Sequence, residues 1–455
     1  MKAVKHPLVT IYIPSHNYGR FLTEAIESVL RQSIDSWELL LLNENSSDNS
    51  REIMDLYGGN QKIKIFDTNG IGLPSVANFA LDKAKGKYII RLDADDVFDE
   101  NILLVLSNYL ERDPSISLVF PDYFLMDEHG SIYAQERRQP FYYQNHMLDI
   151  PPHGACTMVV TKVLQEVGGY RTDLGAQDGF DLWNKIKKNY RSANINIPLF
   201  YYRQHGKNLT GDKKIILNAK REIKKDFSIE KIQKHRPIIA IIPCRENYDF
   251  TPNLWKQKIS EKSLLDIAIE RCIASELFDH IVITSDNAEV ESYLAKFNDP
   301  RIIFKQRLSD TTIRSRPVAH TIGDIISKLD PDYHGITALS ILQAPFITTR
   351  TMEEVIYSLV LNEADSSILV REMSSVLFER TSHGLSQINR KGFLLSDFDI
   401  LYQDLGSCIA STNQNIAKGR MVGSSVVSTV SPENETHYIN NAQDLKVSKY
   451  LMEKA

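Results

Sequence analysis

The sequence predicts an α/β protein built from two tandem, mostly parallel sheets. Three observations carry that prediction. Strand-like and helix-like runs alternate from Val9 onward; a long charged stretch interrupts the alternation, which restarts at Ile238; and 455 residues exceed one ordinary domain. They fit two domains of a little over about 200 residues each.

In the first half the runs are VTIYIP, then FLTEAIESVLRQ with apolar residues at helical spacing, then WELLLLN, NSREIMDLYG and KIKIF. SVANFALDKAKG adds a helix, and KYIIRLDADD adds a strand that runs into acid. Such alternation lays helices over the faces of a parallel sheet. Ligands then belong at the carboxyl ends of the strands.

Residues 211–236, GDKKIILNAKREIKKDFSIEKIQKHR, are crowded with Lys and Arg and carry no strand signal. Loose helical spacing of the apolar residues predicts a charged connecting helix, with the domain boundary near His235. It reads as a solvated linker in preference to an anion-binding arm, and a basic helix lying on anionic lipid stays open. The alternation then resumes with IIAIIP, SLLDIAIERCIAS, HIVITSD, AEVESYLAKF, IIFKQ, PVAHTIGDIISKL, ITALSILQAP, TMEEVIYSLVLN and DSSILVRE. The expected layout is a first domain at 1–210, a linker at 211–236 and a second domain at 237–455. No short-period repeat or low-complexity tract interrupts it.

With 42% hydrophobic and 24% charged residues, both halves can bury a core. A net charge of -5 gives no electrostatic case for nucleic acid as a partner. The four cysteines, Cys156, Cys244, Cys272 and Cys408, lie far apart, with no Cys-x-x-Cys pair and no zinc-ligand spacing. They read as reduced, buried thiols of a cytoplasmic protein. The start MKAVKHPLVTIYIP lacks the apolar core and cleavage site of a signal peptide. No apolar run approaches the ~20 residues that span a bilayer, so any contact with an inner membrane is expected to be peripheral.

RLDADDVFDE places Asp93, Asp95 and Asp96 at the end of a strand. Alternation along a strand would point Asp93 and Asp95 the same way, so that two carboxylates converge and call for a divalent cation. The same acids could instead cap the helix that follows. An Asp-x-Asp alone leaves the two readings open.

VTIYIPSHNYGRFLTEAIESVLRQSIDSWELLLLNENSSDNS resembles the opening of family 2 glycosyltransferases of the GT-A fold. The resemblance continues through GLPSVANFALDKAKGKYIIRLDADD, HGACTMVVTKVLQEVGGYRTDLGAQDGFDLW and YYRQHGKNLT, covering residues 8–210. It implies that Pro14, Asn17 and Glu44 line the base and ribose pocket of a nucleotide-sugar donor, with Asn78, Asp93 and Asp96 also on the donor side. Asp95 would hold Mg2+ or Mn2+ across the donor diphosphate, with His205 closing over metal and phosphates. Asp178, in AQDGFDLW, stands at the position of the catalytic base. These roles suit an inverting transfer, which needs a carboxylate to take the acceptor hydroxyl's proton and a metal to hold charge on the leaving group. The bland alternatives are a helix N-cap for Asp178 and a core-edge histidine for His205, while Asp181 and Trp183 read as packing and capping residues. The chain departs from the family at Asn43–Glu44, where two Asp are usual, and at His16, Ala77 and Gln177. Those departures leave the donor undefined.

IIAIIPCRENYDF, KSLLDIAIERCIASELFDHIVITSD and ILQAPFITTRTMEEV are similar to CMP-sugar synthetases over Ile238–Met452. Pro243 and Arg245 match the strand end that meets nucleotide phosphates, Gln343 matches a turn beside the sugar, and YINNAQDLKVSKYL, with Asp444 in a helix cap, matches the closing segment. The departures fall on chemistry. ENYDFTPNLWKQK replaces the glycine- and lysine-containing phosphate loop, with Glu246 and Asp249 opposing a triphosphate and Lys256 or Lys258 left to reach back. Tyr438 and Asn440 stand where the family keeps two metal-binding aspartates. A degenerate domain is expected, persisting as a scaffold, a regulatory site or a dimerisation surface. Arg314 and Arg316 could meet an acidic sugar or phosphate, with surface positions as the default.

Together the resemblances imply two tandem Rossmann-like domains and a Mg2+- or Mn2+-dependent inverting glycosyltransferase. It would move a sugar from a nucleotide-sugar donor to a glycan, lipid-linked or protein acceptor in bacterial surface polysaccharide or glycan synthesis. The alternatives are a bifunctional enzyme that also makes a CMP-activated acidic sugar, and a non-catalytic carbohydrate-binding or assembly protein.

Overall fold

Every residue of Val9–Ser15 (β1) except Pro14 is buried, because this strand lies inside a sheet covered on both faces. The computed structural model describes residues 6–137, 154–205, 213–307, 318–373, 375–389 and 401–454. The side chains of β1 alternate between two cores. Val9, Ile11 and Ile13 pack with Leu22, Ile26 and Val29 of Gly19–Leu30 (α1). Tyr12 turns the other way, onto Val76, Ala77 and Ala80 of Leu73–Lys83 (α3).

Trp37–Asn43 (β2) and Ile63–Asp67 (β3), joined by Ser50–Leu56 (α2), extend the sheet to one side of β1, and Tyr88–Arg91 (β4) pairs on its other side. All these pairings are parallel. The rest of the unit comprises Val97–Phe98 (β5), Ile102–Arg112 (α4), Ile116–Met126 (β6), Ile132–Glu136 (β7), Met158–Val160 (β8), Thr161–Glu166 (α5), Asp178–Asn189 (α6) and Arg191–Arg203 (β9). The sheet order is β3-β2-β1-β4-β8-β6-β9-β5, with β7 paired to β6. β8 runs antiparallel to β4 and β6, whereas β6 and β9 are parallel. The strand order reverses between β1 and β4, and a cleft for ligands opens at such a reversal, outside the carboxyl ends.

Lys213–Ile232 (α7) follows. The division into two compact units falls inside this helix, between Ile223 and Lys224, rather than near His235. Its second half is not a solvated linker. Lys224, Ser228 and Ile232 are buried. Lys224 pairs with Glu354 at 3.2 Å and Ser228 Oγ donates to the Tyr357 carbonyl at 3.0 Å. One face of a strongly charged helix is thus part of the second unit's structure.

The second unit opens with Ile238–Pro243 (β10), which also divides its side chains. Ile238, Ala240 and Ile242 enter a core with Leu265, Ala268 and Ile269 of Leu264–Ile273 (α8). Ile239 and Ile241 enter another with Ile322, Ile325 and Ile326. Two short hairpins, Asn247–Tyr248 (β11) with Thr251–Pro252 (β12) and Lys258–Ile259 (β13) with Lys262–Ser263 (β14), lie between β10 and α8. The chain continues through His280–Ser285 (β15), Glu289–Leu294 (α9), Ile302–Gln306 (β16), Val318–Leu329 (α10), Ile336–Ser340 (β17), Thr349–Asn362 (α11) and Ser366–Met373 (β18). A hairpin of Phe378–Thr381 (β19) and Gly384–Gln387 (β20) precedes Leu401–Thr412 (β21) and Val426–Val430 (β22). The sheet order is β16-β15-β10-β17-β21-β18-β22. β16, β15, β10 and β17 are parallel, and β21 runs against β17 and β18. Both units are therefore mixed α/β with mostly parallel sheets. Among the described residues no helix is long and apolar enough to cross a membrane. The four cysteines are buried and free of disulfides.

Candidate active site

β4 ends at Arg91, and the acids that follow lie in a turn closed by the Asp96 amide donating to the Asp93 carbonyl at 3.1 Å. Strand alternation therefore does not bring Asp93 and Asp95 together, as the sequence suggested; the turn does. Arg91 is the organising charge. Its side chain is 5% exposed, with Nε 2.9 Å from Asp93 Oδ1 and Nη1 2.5 Å from Asp178 Oδ2. Asp178 opens α6 and engages Arg91 rather than capping its helix; the residue before it, Gln177, sits at φ 66° without a side-chain cap. A strand end and a helix start, 87 residues apart, thus meet at one guanidinium.

A second cluster sits beside the first. His205 Nε2 lies 2.9 Å from Asp95 Oδ2. The imidazole stacks on Phe21 with centroids 5.2 Å apart and meets Tyr18 edge-on. Arg203, 2% exposed, places its guanidinium 4.8 Å from the Phe21 centroid and pairs with Glu24 of α1. Its Nε donates to the Asp95 carbonyl at 2.9 Å, and its backbone N–H donates to Asp96 Oδ1 at 3.0 Å. Asp96 is fully buried. It anchors β9 to the acidic turn and cannot reach a donor, which corrects its expected place among the donor contacts.

Crowded acid in a covered turn resists ionisation. Burial pushes the Asp93 carboxyl up to about 6, with Asp95 and Asp178 adding repulsion and Arg91 opposing it. Burial, with Asp95 and Asp93, also drives Asp96 well upward. Among the described residues no group of three His, Cys, Asp or Glu side chains forms a ready metal cage. The donor set still fits Mg2+ or Mn2+, because such ions take one or two carboxylates and complete their shell with water and substrate phosphates. Asp95 and His205 present an oxygen and an imidazole nitrogen side by side, in a turn whose carboxylates repel one another.

The other donor-side positions prove to be built into the scaffold to different degrees. Pro14 is half-buried near the end of β1. Asn17 adopts φ 62°, and its Oδ1 accepts from the Ser47 amide at 2.7 Å and the Asp48 amide at 3.2 Å. Asparagine tolerates this left-handed backbone, so Asn17 ties the end of β1 to the loop after β2. Glu44 accepts from the Gly72 amide at 2.8 Å and from the Thr68 hydroxyl. Asn78 does not belong with them. Its amide nitrogen donates to the Tyr170 carbonyl and its oxygen accepts from the Tyr170 amide, both at 2.8 Å. With both ends bonded to one peptide, Asn78 clamps α3 to the segment after α5. Asp181 is buried and pairs with Lys185 at 2.9 Å, in keeping with packing.

Arg91 and Arg203 are the functional-site residues that the motif reading passed over. The signal for Arg91 was present in YIIR, because a charge ending a buried strand next to three acids needs partners. Nothing in YYRQH distinguished Arg203, whose partners Glu24, Phe21 and Asp95 come from distant segments.

In the second unit, Arg245 follows β10 with its guanidinium 4.5 Å from the Tyr248 ring centroid. Arg307, after β16, has Nε and Nη2 buried, with no hydrogen-bond acceptor among the described residues. Gln343 is a structural brace: its Nε2 donates to the Ile439 carbonyl at 2.7 Å, and its own carbonyl accepts from the Ile439 amide at 2.8 Å. Lys256 does not reach back toward Arg245, being paired with Glu289 and lying over Trp255. Asp444 accepts from the Asn440 amide at 2.8 Å. Arg314 and Arg316 fall outside the described residues.

The strand reversal beside β1, the acidic turn and the histidine over it define a class for the first unit. Residues 10–163 match the family model Glycosyl transferase family 2, and this stretch is a family 2 glycosyltransferase domain. The chondroitin synthase of Pasteurella multocida is 26% identical over 250 residues, which are 54% of this chain and 25% of that protein. An uncharacterized glycosyltransferase of Rickettsia bellii is 25% identical over 373 residues, covering 72% of this chain and 53% of its own. The chain thus spans well under two thirds of either relative's length. Among solved structures, S. aureus TarS 1–349 in complex with UDP-GlcNAc is 11% identical with a TM-score of 0.43, covering 83% of this chain and 96% of that one.

Proposed function

We propose that the first unit is an inverting glycosyltransferase that moves a sugar from a nucleotide-sugar donor to an acceptor hydroxyl in bacterial polysaccharide or glycan synthesis. The observation that carries this reading is the meeting, at one strand reversal, of Asp178 with the Asp93–Asp95–His205 cluster. The acceptor oxygen attacks the anomeric carbon as the bond to the diphosphate breaks, and Asp178 takes the hydroxyl proton. Asp95 and His205 would hold Mg2+ or Mn2+, which when bound supplies positive charge for the leaving diphosphate. Asn17 and Glu44 shape the loops at the ends of β1 and β2 where the nucleoside would lie. Relatives named chondroitin synthase and hyaluronan synthase support a glycan acceptor.

In this reading the second unit is a cytidylyltransferase-like domain that has lost activation of sugars by CTP and persists as a scaffold. Support comes from Lys256, which is paired with Glu289, and from Arg245, which lies over Tyr248.

The test is incubation of the whole chain with UDP-, GDP- and CMP-linked sugars, with Mn2+ and with chelator, reading nucleotide release. Metal-dependent release that disappears in Asp95→Ala is expected. Equal nucleotide binding and donor hydrolysis by wild type and Asp95→Ala would sink the reading. Release of pyrophosphate from CTP and an acidic sugar would overturn the inactive second domain.

A further inference from the structure

Resting on the transferase reading, we infer that Arg91 is the positioning residue for Asp178. It holds the proton-accepting carboxylate where an acceptor hydroxyl must arrive. The backbone of Arg91 is fixed from two sides. Its strand pairs with β1 in register Tyr12↔Arg91, and its carbonyl accepts from the Cys156 amide at 2.7 Å. The guanidinium is buried and its fork is divided between two acids, Nε toward Asp93 and Nη1 toward Asp178. Asp93, two residues along the same chain, adds an ion-pair contact at Nε, while Nη1 donates to Asp178, which arrives on α6.

The helix does not do this job for itself. Gln177 precedes Asp178 in a left-handed conformation with no side-chain cap, so the start of α6 leaves the carboxylate direction to its partners. The Asp178 side chain retains 16% exposure, so the carboxylate is not sealed off from a ligand. The backbone at Gly154 approaches the pair closely. A Cβ there would lie 2.8 Å from Arg91 Nη2 and 3.2 Å from Asp178 Oδ1. The first contact is closer than real side chains show and the second is tight, so a larger residue here presses on the Arg91 guanidinium and crowds the Asp178 carboxylate.

Arginine suits this task because its planar fork can address two carboxylates at once in fixed directions, whereas lysine offers a mobile point charge. Arg91→Lys therefore preserves the charge but loses the geometry. A misplacement of about 1 Å in a reacting group can cost about a hundredfold in rate.

The experiment uses the full chain and follows hydrolysis of UDP- and GDP-linked hexoses and CMP-linked acidic sugars with Mn2+, where water serves as acceptor. Arg91→Lys, Gly154→Ala, Asp178→Asn and the Arg91→Lys/Asp178→Asn double variant are compared with wild type. Expected results are a kcat about a hundredfold lower in Arg91→Lys, a donor KM within about twofold of wild type, and no further loss when Arg91→Lys is added to Asp178→Asn. Gly154→Ala, which leaves every charge in place, should lower kcat in the same pattern and carries the test if Arg91→Lys does not fold. A kcat at wild-type level in folded Arg91→Lys overturns the inference. So does a loss of the same factor in the Asp178→Asn background, since a merely structural Arg91 would act independently of the base. Failure of the wild type to turn over any of these donors removes the transferase reading itself, and the inference with it.

Discussion

Each unit contains a buried ion pair, and the two pairs behave differently because of what surrounds them. Lys224 and Glu354 are 2% and 3% exposed and 3.2 Å apart between α7 and α11. Arg91 and Asp178 approach to 2.5 Å, but Asp178 keeps an edge toward solvent and Arg91 is shared with a second acid. The enclosed pair can only stabilise or destabilise the packing of two helices. The pair at the strand reversal can also present a carboxylate to a ligand. Burial alone therefore marks neither pair as functional; position in the topology and residual exposure separate them.

The largest effect that can break this contrast is at Asp178. Asp178→Asn keeps the shape and leaves Arg91 paired with Asp93, so the urea midpoint should move little while the transfer rate falls about 10²- to 10⁴-fold. Steady-state kinetics alongside unfolding curves decide it, and unchanged turnover would reduce the Arg91 pair to a structural one. Glu354→Ala should do the reverse. It removes the carboxylate 3.2 Å from the buried Lys224 and costs about 3–5 kcal/mol in denaturant unfolding, with kcat of the protein that remains folded unaffected. Smaller again, Asn78→Ala removes both hydrogen bonds to the Tyr170 peptide and should cost about 1–3 kcal/mol. Donor KM is the measurement that matters there, because a raised KM would return Asn78 to the donor site. At the bottom of the scale, Lys256→Ala removes an exposed pair with Glu289 and should change stability by less than about 0.5 kcal/mol in thermal unfolding.

The strand ends of the two sheets extend the contrast. In the first unit a turn of acids is balanced by Arg91, Arg203 and His205. In the second, Arg245 and Arg307 occupy comparable ends of β10 and β16, with Tyr248 beside Arg245. Similar sheets thus end in different side chains, an acidic turn in one and arginines beside Tyr248 and Asp286 in the other, and the fold specifies the place of a site without specifying its chemistry.

Much of this was legible along the chain. The runs VTIYIP and IIAIIP announced two buried central strands because both faces of each are apolar, and the alternation around them implied parallel sheets. The acids at 93, 95 and 96 stood out by composition. Their roles did not, because three neighbouring carboxylates look alike until the turn separates Asp95 beside His205 from Asp96 buried under Arg203. The charged stretch after residue 211 misled for a related reason. Lysine frequency reports solvation on average, whereas Lys224 is turned inward to meet Glu354.

By itself the sequence determined the strand and helix periods, the two-sheet organisation and the inventory of acids, since these depend on residue type and spacing within short windows. Tertiary structure alone decided which acid meets which base. Arg91 and Asp178 are 87 residues apart, and Asp95 and His205 are 110. Contacts of that separation are set by how β4, α6 and β9 assemble around the sheet, and no local propensity encodes them.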